Sequence, residues 1–210
     1  MSSHKQKCGF DWNQAVCQDW VYTDPTGDTH KLAHMQTQSH HYKYRYRDAQ
    51  KTVQKGVIEI EVRYDPHCFT CARPDGNTDP ALVFDKFTDG STADRIFDPA
   101  RYAKTQALVK TIAGLSRKDC RESRQVGKAL YFKQSDPKRP GVGYYVVIKL
   151  RNESSKLVMF VETAHERNND PFKLDLSDKR ETYDIILGRL LYKCWPELLP
   201  PPPKKDEPKK

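Results

Sequence analysis

Gly143-Tyr144-Tyr145-Val146-Val147-Ile148-Lys149-Leu150 and Leu157-Val158-Met159-Phe160-Val161-Glu162-Thr163 decide the fold of this chain. Both are strand-length runs rich in β-branched and aromatic residues, and the polar stretch from Arg151 to Lys156 between them reads as a turn. Ala129 to Lys133 supplies a further strand before a loop that holds Pro137 and Pro140-Gly141. Together they predict a compact antiparallel sheet.

Helices flank that sheet in the sequence. Asp98-Pro99 is a helix start, because aspartate accepts orphan amide hydrogens and proline suits the first turn. Tyr102, Val109, Ile112 and Ala113 follow at helical spacing, and Gly114 ends the run. Ser116-Arg117-Lys118-Asp119 has capping-box spacing and predicts a short basic helix to about Gln125, stopped by Gly127. Ser177-Asp178 caps a last helix over 178–194. Its apolar stripe of Tyr183, Ile186, Leu187, Leu190, Leu191 and Cys194 has to pack on the sheet.

The N-terminal half reads as largely β. Tyr42, Tyr44 and Tyr46 alternate with Lys43, Arg45 and Arg47; Ile58, Ile60, Val62 and Tyr64 alternate with Glu59, Glu61 and Arg63. Pairing of the two runs across 48–56 would bring Glu59 and Glu61 near the basic face of the first. Cross-strand ion pairs would then account for those charges, in place of a nucleic-acid platform. Ala81 to Phe87 is another short strand, and Trp12, Val16 and Trp20 have the spacing of one helix face. The expected class is α+β, an antiparallel sheet with packed helices and a largely β N-terminal half. Its expected divisions are a basic region over 1–95, a helix-on-sheet domain over 96–196 and a Pro/Lys-rich flexible tail over 197–210.

Of the 210 residues, 37% are hydrophobic and 30% charged, a balance that favours a folded core over disorder. The net charge of +8 and the eleven tyrosines point to a polyanionic partner, nucleic acid above all. No apolar run approaches the ~20 residues of a membrane span, and Met1-Ser2-Ser3-His4-Lys5 lacks a secretory core. The expected compartment is the cytoplasm, with no membrane partner. The six cysteines are then thiols or metal ligands. His67-Cys68-Phe69-Thr70-Cys71 carries a C-x-x-C that Cys8 and Cys17 would complete as a structural zinc site; the alternative is reduced thiols packed in the N-terminal half. No G-x-S-x-G, Walker or Rossmann glycine pattern is present, which disfavours serine-hydrolase and nucleotide-driven chemistry. Asp85, Asp89, Asp94 and Asp98 stand beside glycine and proline as capping and turn residues rather than magnesium ligands.

Phosphodiester cleavage without a metal needs a proton acceptor, a proton donor and cations for the charged intermediate. His165, the last histidine of the chain, follows a strand, where an imidazole can meet solvent and substrate. Arg121 and Arg124 share a face of the expected basic helix, with Arg117 one turn back, and could grip a phosphate. Lys128, Tyr131 and Lys149 are further substrate-binding candidates. The plainer account makes His165 a surface loop residue and the arginines a solvated face.

The succession of the helix from Asp98 to Ala113, the basic turn, Lys128-Ala129-Leu130-Tyr131-Phe132, the strand at 143–149 and Phe160-Val161-Glu162-Thr163-Ala164-His165 resembles the phage-associated branch of the barnase, EndoU, colicin and RelE-like nuclease superfamily. The similarity covers roughly 70 residues and rests on pattern. It implies a metal-independent ribonuclease fold, needing no cofactor for catalysis, with Thr163 and His165 where the last strand meets the cleft. The long basic N-terminal half has no counterpart in that pattern. The expected function is an endoribonuclease or toxin-like RNA-binding protein of phage or bacterial origin. The alternative is a non-catalytic protein that occupies a host protein or nucleic acid.

Overall fold

The computed structural model describes residues 19–74, 76, 83–85, 94–122, 129–135, 142–167 and 181–200. Two short strands, β1 (Val21–Thr23) and β2 (Thr29–Lys31), pair around a turn in which the Asp24 carboxylate accepts from the amides of Thr26 and Asp28 at 2.9 and 3.0 Å. The alternating tyrosine run then forms β3 (Gln38–Arg47), paired antiparallel with β4 (Val53–Tyr64) as the periodicity predicts. A Cβ at Gly56 would lie 2.5 Å from the Tyr44 hydroxyl, so a side chain here would displace the Tyr44 ring where it crosses the partner strand.

After β4 the chain leaves for a small three-stranded sheet of order β5-β7-β6, built from β5 (Thr70–Ala72), β6 (Val83–Asp85) and β7 (Arg95–Phe97). Helix α1 (Pro99–Ala113) follows as expected, its N-cap Asp98 accepting from the amides of Ala100 and Arg101 at 3.0 and 3.1 Å. The expected basic helix is not formed. Leu115–Arg117 makes one 3₁₀ turn and Asp119–Glu122 is strand β8. Pairing outweighs the capping signal here: as a strand this segment buries Cys120 and brings Glu122 within 2.7 Å of Arg189.

β9 (Leu130–Ser135), β10 (Gly143–Glu153) and β11 (Lys156–Arg167) are the strands read from the sequence. The β10–β11 turn is only Ser154-Ser155, both at positive φ (51° and 66°). Glu181–Thr182 is a two-residue strand, β12, and Thr182 stands at the N-cap position of the last helix, α2 (Tyr183–Cys194), its hydroxyl donating to the Asp184 carboxylate. That helix therefore starts later than the 178 expected, and Ser177-Asp178 lie outside the described residues.

The main sheet has seven strands in the order β12-β8-β9-β10-β11-β4-β3. Strands from both sides of residue 95 thus share one sheet. It is antiparallel except at one joint: β4 and β11 are parallel, so the fully antiparallel expectation is corrected there. The sheet curls until its edges meet. Arg45 of β3 pairs with Asp184 at 2.8 Å and donates to the Thr182 hydroxyl of β12 at 3.3 Å, while the Lys43 amide donates to Ser116 Oγ at 3.1 Å. One face holds Tyr42, Ile60, Val62, Leu130, Val146, Ile148, Met159 and Val161, packed against Leu108 and Ile112 of α1 and Ile186, Leu187 and Leu191 of α2. Beyond α2, Pro196–Leu198 is a 3₁₀ turn whose Glu197 accepts from Asn152 at 2.7 Å, and Leu198 and Leu199 pack on the core. The first residues of the expected flexible tail are therefore docked.

α2 rests directly on the β3 backbone, since a Cβ at Gly188 would stand 2.2 Å from the Arg45 carbonyl oxygen. Gly188→Ala forces helix and strand apart and should destabilise the protein by about 1–3 kcal/mol. A lower denaturation midpoint at an unchanged m-value checks this.

Candidate functional site

The parallel register of β4 and β11 ends at Tyr64 opposite Val161, and both chains run on side by side. The Asp65 amide donates to the Val161 carbonyl at 3.0 Å, and Cys68, at the end of the 3₁₀ turn Pro66–Cys68, directs its sulfur to the same oxygen at 3.4 Å. The carboxyl ends of two adjacent parallel strands are where α/β sheets commonly build binding sites. Each of these ends carries a histidine, His67 after β4 and His165 on β11.

Asp65 orients the first. Its carboxylate caps the turn, accepting from the His67 amide at 2.9 Å, and also takes the ring Nδ1, which sets the orientation of the imidazole. A β-bulge orients the second. Ile148 stands opposite Val161 but Val147 stands opposite Thr163, so Glu162 is the extra residue. Before the bulge the odd-numbered residues Leu157, Met159 and Val161 face the core; after it Ala164 does. The insertion thus turns Thr163, His165 and Arg167 to the opposite face of the sheet.

Arg167 Nε donates to His165 Nε2, so the proton of the neutral ring sits on Nδ1 and is donated to Thr163 Oγ1 at 2.9 Å. Burial, then the charges of Arg101, Arg167, Arg95 and His67, push His165 from the ordinary 6.5 down to about 4. Two of those arginines are fixed by backbone oxygens. Arg101 donates to the carbonyls of His67 and Thr70 at 3.2 and 2.7 Å, and Arg95 to Thr70 Oγ1 and O at 2.8 and 2.6 Å. Beside them Lys104 pairs with Glu166.

The register also locates the residues singled out from the sequence. Arg121, Tyr131, Val147 and Thr163 stand in one row across β8, β9, β10 and β11, and Lys133, Tyr145 and His165 form the next. Lys149 lies on the same face, opposite Phe160. Arg121, Tyr131, Lys149, Thr163 and His165 therefore share a face, although Arg121 reaches it from a strand. Tyr131 is buried and does not serve as a stacking platform, and Lys149 is held by Glu162 at 2.6 Å. Arg117 sits apart, exposed on the 3₁₀ turn by the closing seam; Arg124 and Lys128 lie outside the described residues.

His67, Asp65, Arg101, Arg95 and Arg167 are not among the candidates that the sequence offers. The criterion that selects His165, a histidine at a strand's exit, also selects His67 once the run ending at Tyr64 is read as a strand. Of the expected zinc ligands, Cys68 is fully buried with its sulfur on a carbonyl, and burial pushes its thiol up. Burial and Asp98 raise Cys71 as well, and Cys8 and Cys17 lie outside the described residues. Among the described residues no group of three or more His, Cys, Asp or Glu is placed to hold a metal ion.

The model of the YjaZ family matches residues 18–191, a span that holds both histidines, the curled sheet and most of α2. The chain belongs to the YjaZ family. No curated protein and no solved structure matches this YjaZ-family chain. No helix among its described residues is long and apolar enough to cross a membrane.

A depressed His165 makes stability pH-dependent with a definite sign. Between about 6.5 and 4 the unfolded chain binds a proton that the folded ring refuses, so this contribution is complete above 6.5 and is lost as the pH falls toward 4. His165→Gln should flatten the stability profile over that interval, and the His165 ring signals should titrate with a midpoint near 4 by NMR.

Proposed function

We propose that the protein is an endoribonuclease that cleaves without a metal ion, with His165 as the proton acceptor and His67 as the proton donor. The observation that carries this reading is the placement of two histidines where the parallel strands β4 and β11 part, His67 in the turn whose Cys68 sulfur reaches the Val161 carbonyl and His165 on β11 just beyond Val161. In the proposed reaction a phosphate draws the Arg167 guanidinium off Nε2 of His165. The uncovered lone pair takes the 2′-hydroxyl proton, the 2′-oxygen attacks phosphorus, and the bond to the 5′-oxygen breaks as His67, oriented by Asp65, protonates it. The products are a 2′,3′-cyclic phosphate and a 5′-hydroxyl. The resemblance to the nuclease superfamily and the +8 charge support the same class of substrate.

One observation favours the rival, a non-catalytic protein that occupies a nucleic acid or host protein: the acceptor nitrogen of His165 is already covered by Arg167. Incubation with total tRNA and long RNA in EDTA separates the two. The nuclease reading expects cleavage that His165→Ala and His67→Ala each lower by about 100-fold or more, the scale of losing a general acid or base. Because His165 has to be neutral to accept a proton, the acid limb of kcat/KM should fall through about pH 4 and not near 6.5. Intact RNA under all conditions, with retained binding, would establish the rival.

A further inference from the structure

The face of the β3–β4 hairpin that points away from the core carries a concentration of charge that its own register leaves uncompensated. Periodicity alone would let the glutamates of β4 neutralise the cations of β3, but Glu59 stands opposite His41 and Glu61 opposite Ser39. Glu61 is moreover taken by Arg63, 2.5 Å away. Toward the tip Lys43 is opposite Val57, Arg45 opposite Lys55, and Arg47 opposite Val53. Arg45 has Asp184, but no carboxylate among the described residues pairs with Lys43, Arg47 or Lys55, and all three are exposed. Val53 and Val57 beside them are 53% and 56% exposed, so none of the described residues covers this strip.

We propose that this strip is a second binding surface for RNA, a track along which the backbone of a single strand runs over Lys43, Arg47 and Lys55. The inference rests on the reading of the protein as RNA-directed. Charge complementarity selects the occupant. Side chains at i and i+2 of a strand repeat every ~6.7 Å on one face, a spacing on the scale of successive phosphates in a stretched single strand. The strip lies toward the amino end of β4, while His67 follows the carboxyl end, so even its near end, Lys43 opposite Val57, is separated from the end of β4 by about 23 Å of strand. RNA held here would be long, and a dinucleotide bound at the histidines would not reach it.

The test compares three proteins: the parent, the variant Lys43→Gln/Arg47→Gln/Lys55→Gln, and a control that removes the same charge elsewhere, Lys110→Gln/Lys118→Gln/Lys193→Gln. Affinity for a labelled uridine homopolymer is measured by fluorescence anisotropy across a salt series. The hairpin variant should bind about tenfold or more weaker at low salt, and its log–log salt slope should be shallower by about two units, at ~0.7 for each phosphate that is no longer neutralised. The control should keep the parent slope. Equal losses in hairpin and control variants, or no loss in either, overturn the track. So does a hairpin variant that binds RNA like the parent but no longer sediments with phosphatidylserine vesicles, which would assign the strip to lipid. Cleavage of uridylyl-adenosine, too short to touch the strip, reports on the histidines alone. Loss of homopolymer binding with no dinucleotide cleavage by the parent keeps the track and ends the nuclease reading; cleavage with unchanged homopolymer binding does the reverse.

Discussion

Four residue pairs between β4 and β11, from Glu61 with Val158 to Tyr64 with Val161, join the β3–β4 hairpin to the strands that come after α1. The sheet core, the pairing of Asp65 and Cys68 with the Val161 carbonyl, and the exit of His67 and His165 at the same end of the sheet all depend on that parallel joint. Parallel neighbours also leave the sheet at the same end. In a fully antiparallel arrangement the exits of these two strands would lie at opposite ends, and no histidine pair could form there.

Charge on the outer face is sorted rather than spread. Glu61 and Glu153 hold Arg63, Glu162 holds Lys149, and the Arg63 and Arg151 guanidiniums stand 5.5 and 5.0 Å from the centre of the Phe160 ring. Cations in that central part of the sheet serve the structure, covering aromatic surface as well as pairing. At the exit of β11 the balance is reversed. Arg101, Arg95 and Arg167 act together on His165, and a half-buried ring beside such charge stays neutral. A neutral imidazole in that position can accept a proton, and the positive field around it favours an anion.

Much of this is legible in the residues. Alternation marks the β3–β4 pair, the valine-rich runs mark β10 and β11, and Asp98-Pro99 marks α1, because each of these signals is local and each agrees with its tertiary setting. The departures share a different cause. Ser116 to Asp119 carries a true capping pattern, but pairing with β9 and the burial of Cys120 together outweigh one helical cap. The parallel joint has no local signature, since the same apolar run would serve in either direction. Nor does the bulge at Glu162: Val161, Thr163 and His165 read in sequence as one face, and only the inserted residue separates them. His165 is marked by its position at a strand's end and Arg121 by a helix it does not form, whereas His67 is masked by neighbours that read as a metal motif.

The joint between β4 and β11 also orders events in time. Its partners lie about a hundred residues apart in the chain, and pairings of that separation form late because loop closure has to precede any gain from them. As the chain emerges from the ribosome, the β3–β4 hairpin would exist well before β11 does, with one edge of β4 unpaired and His67 without its counterpart. Whatever the two histidines do together, a partly synthesised chain cannot do it.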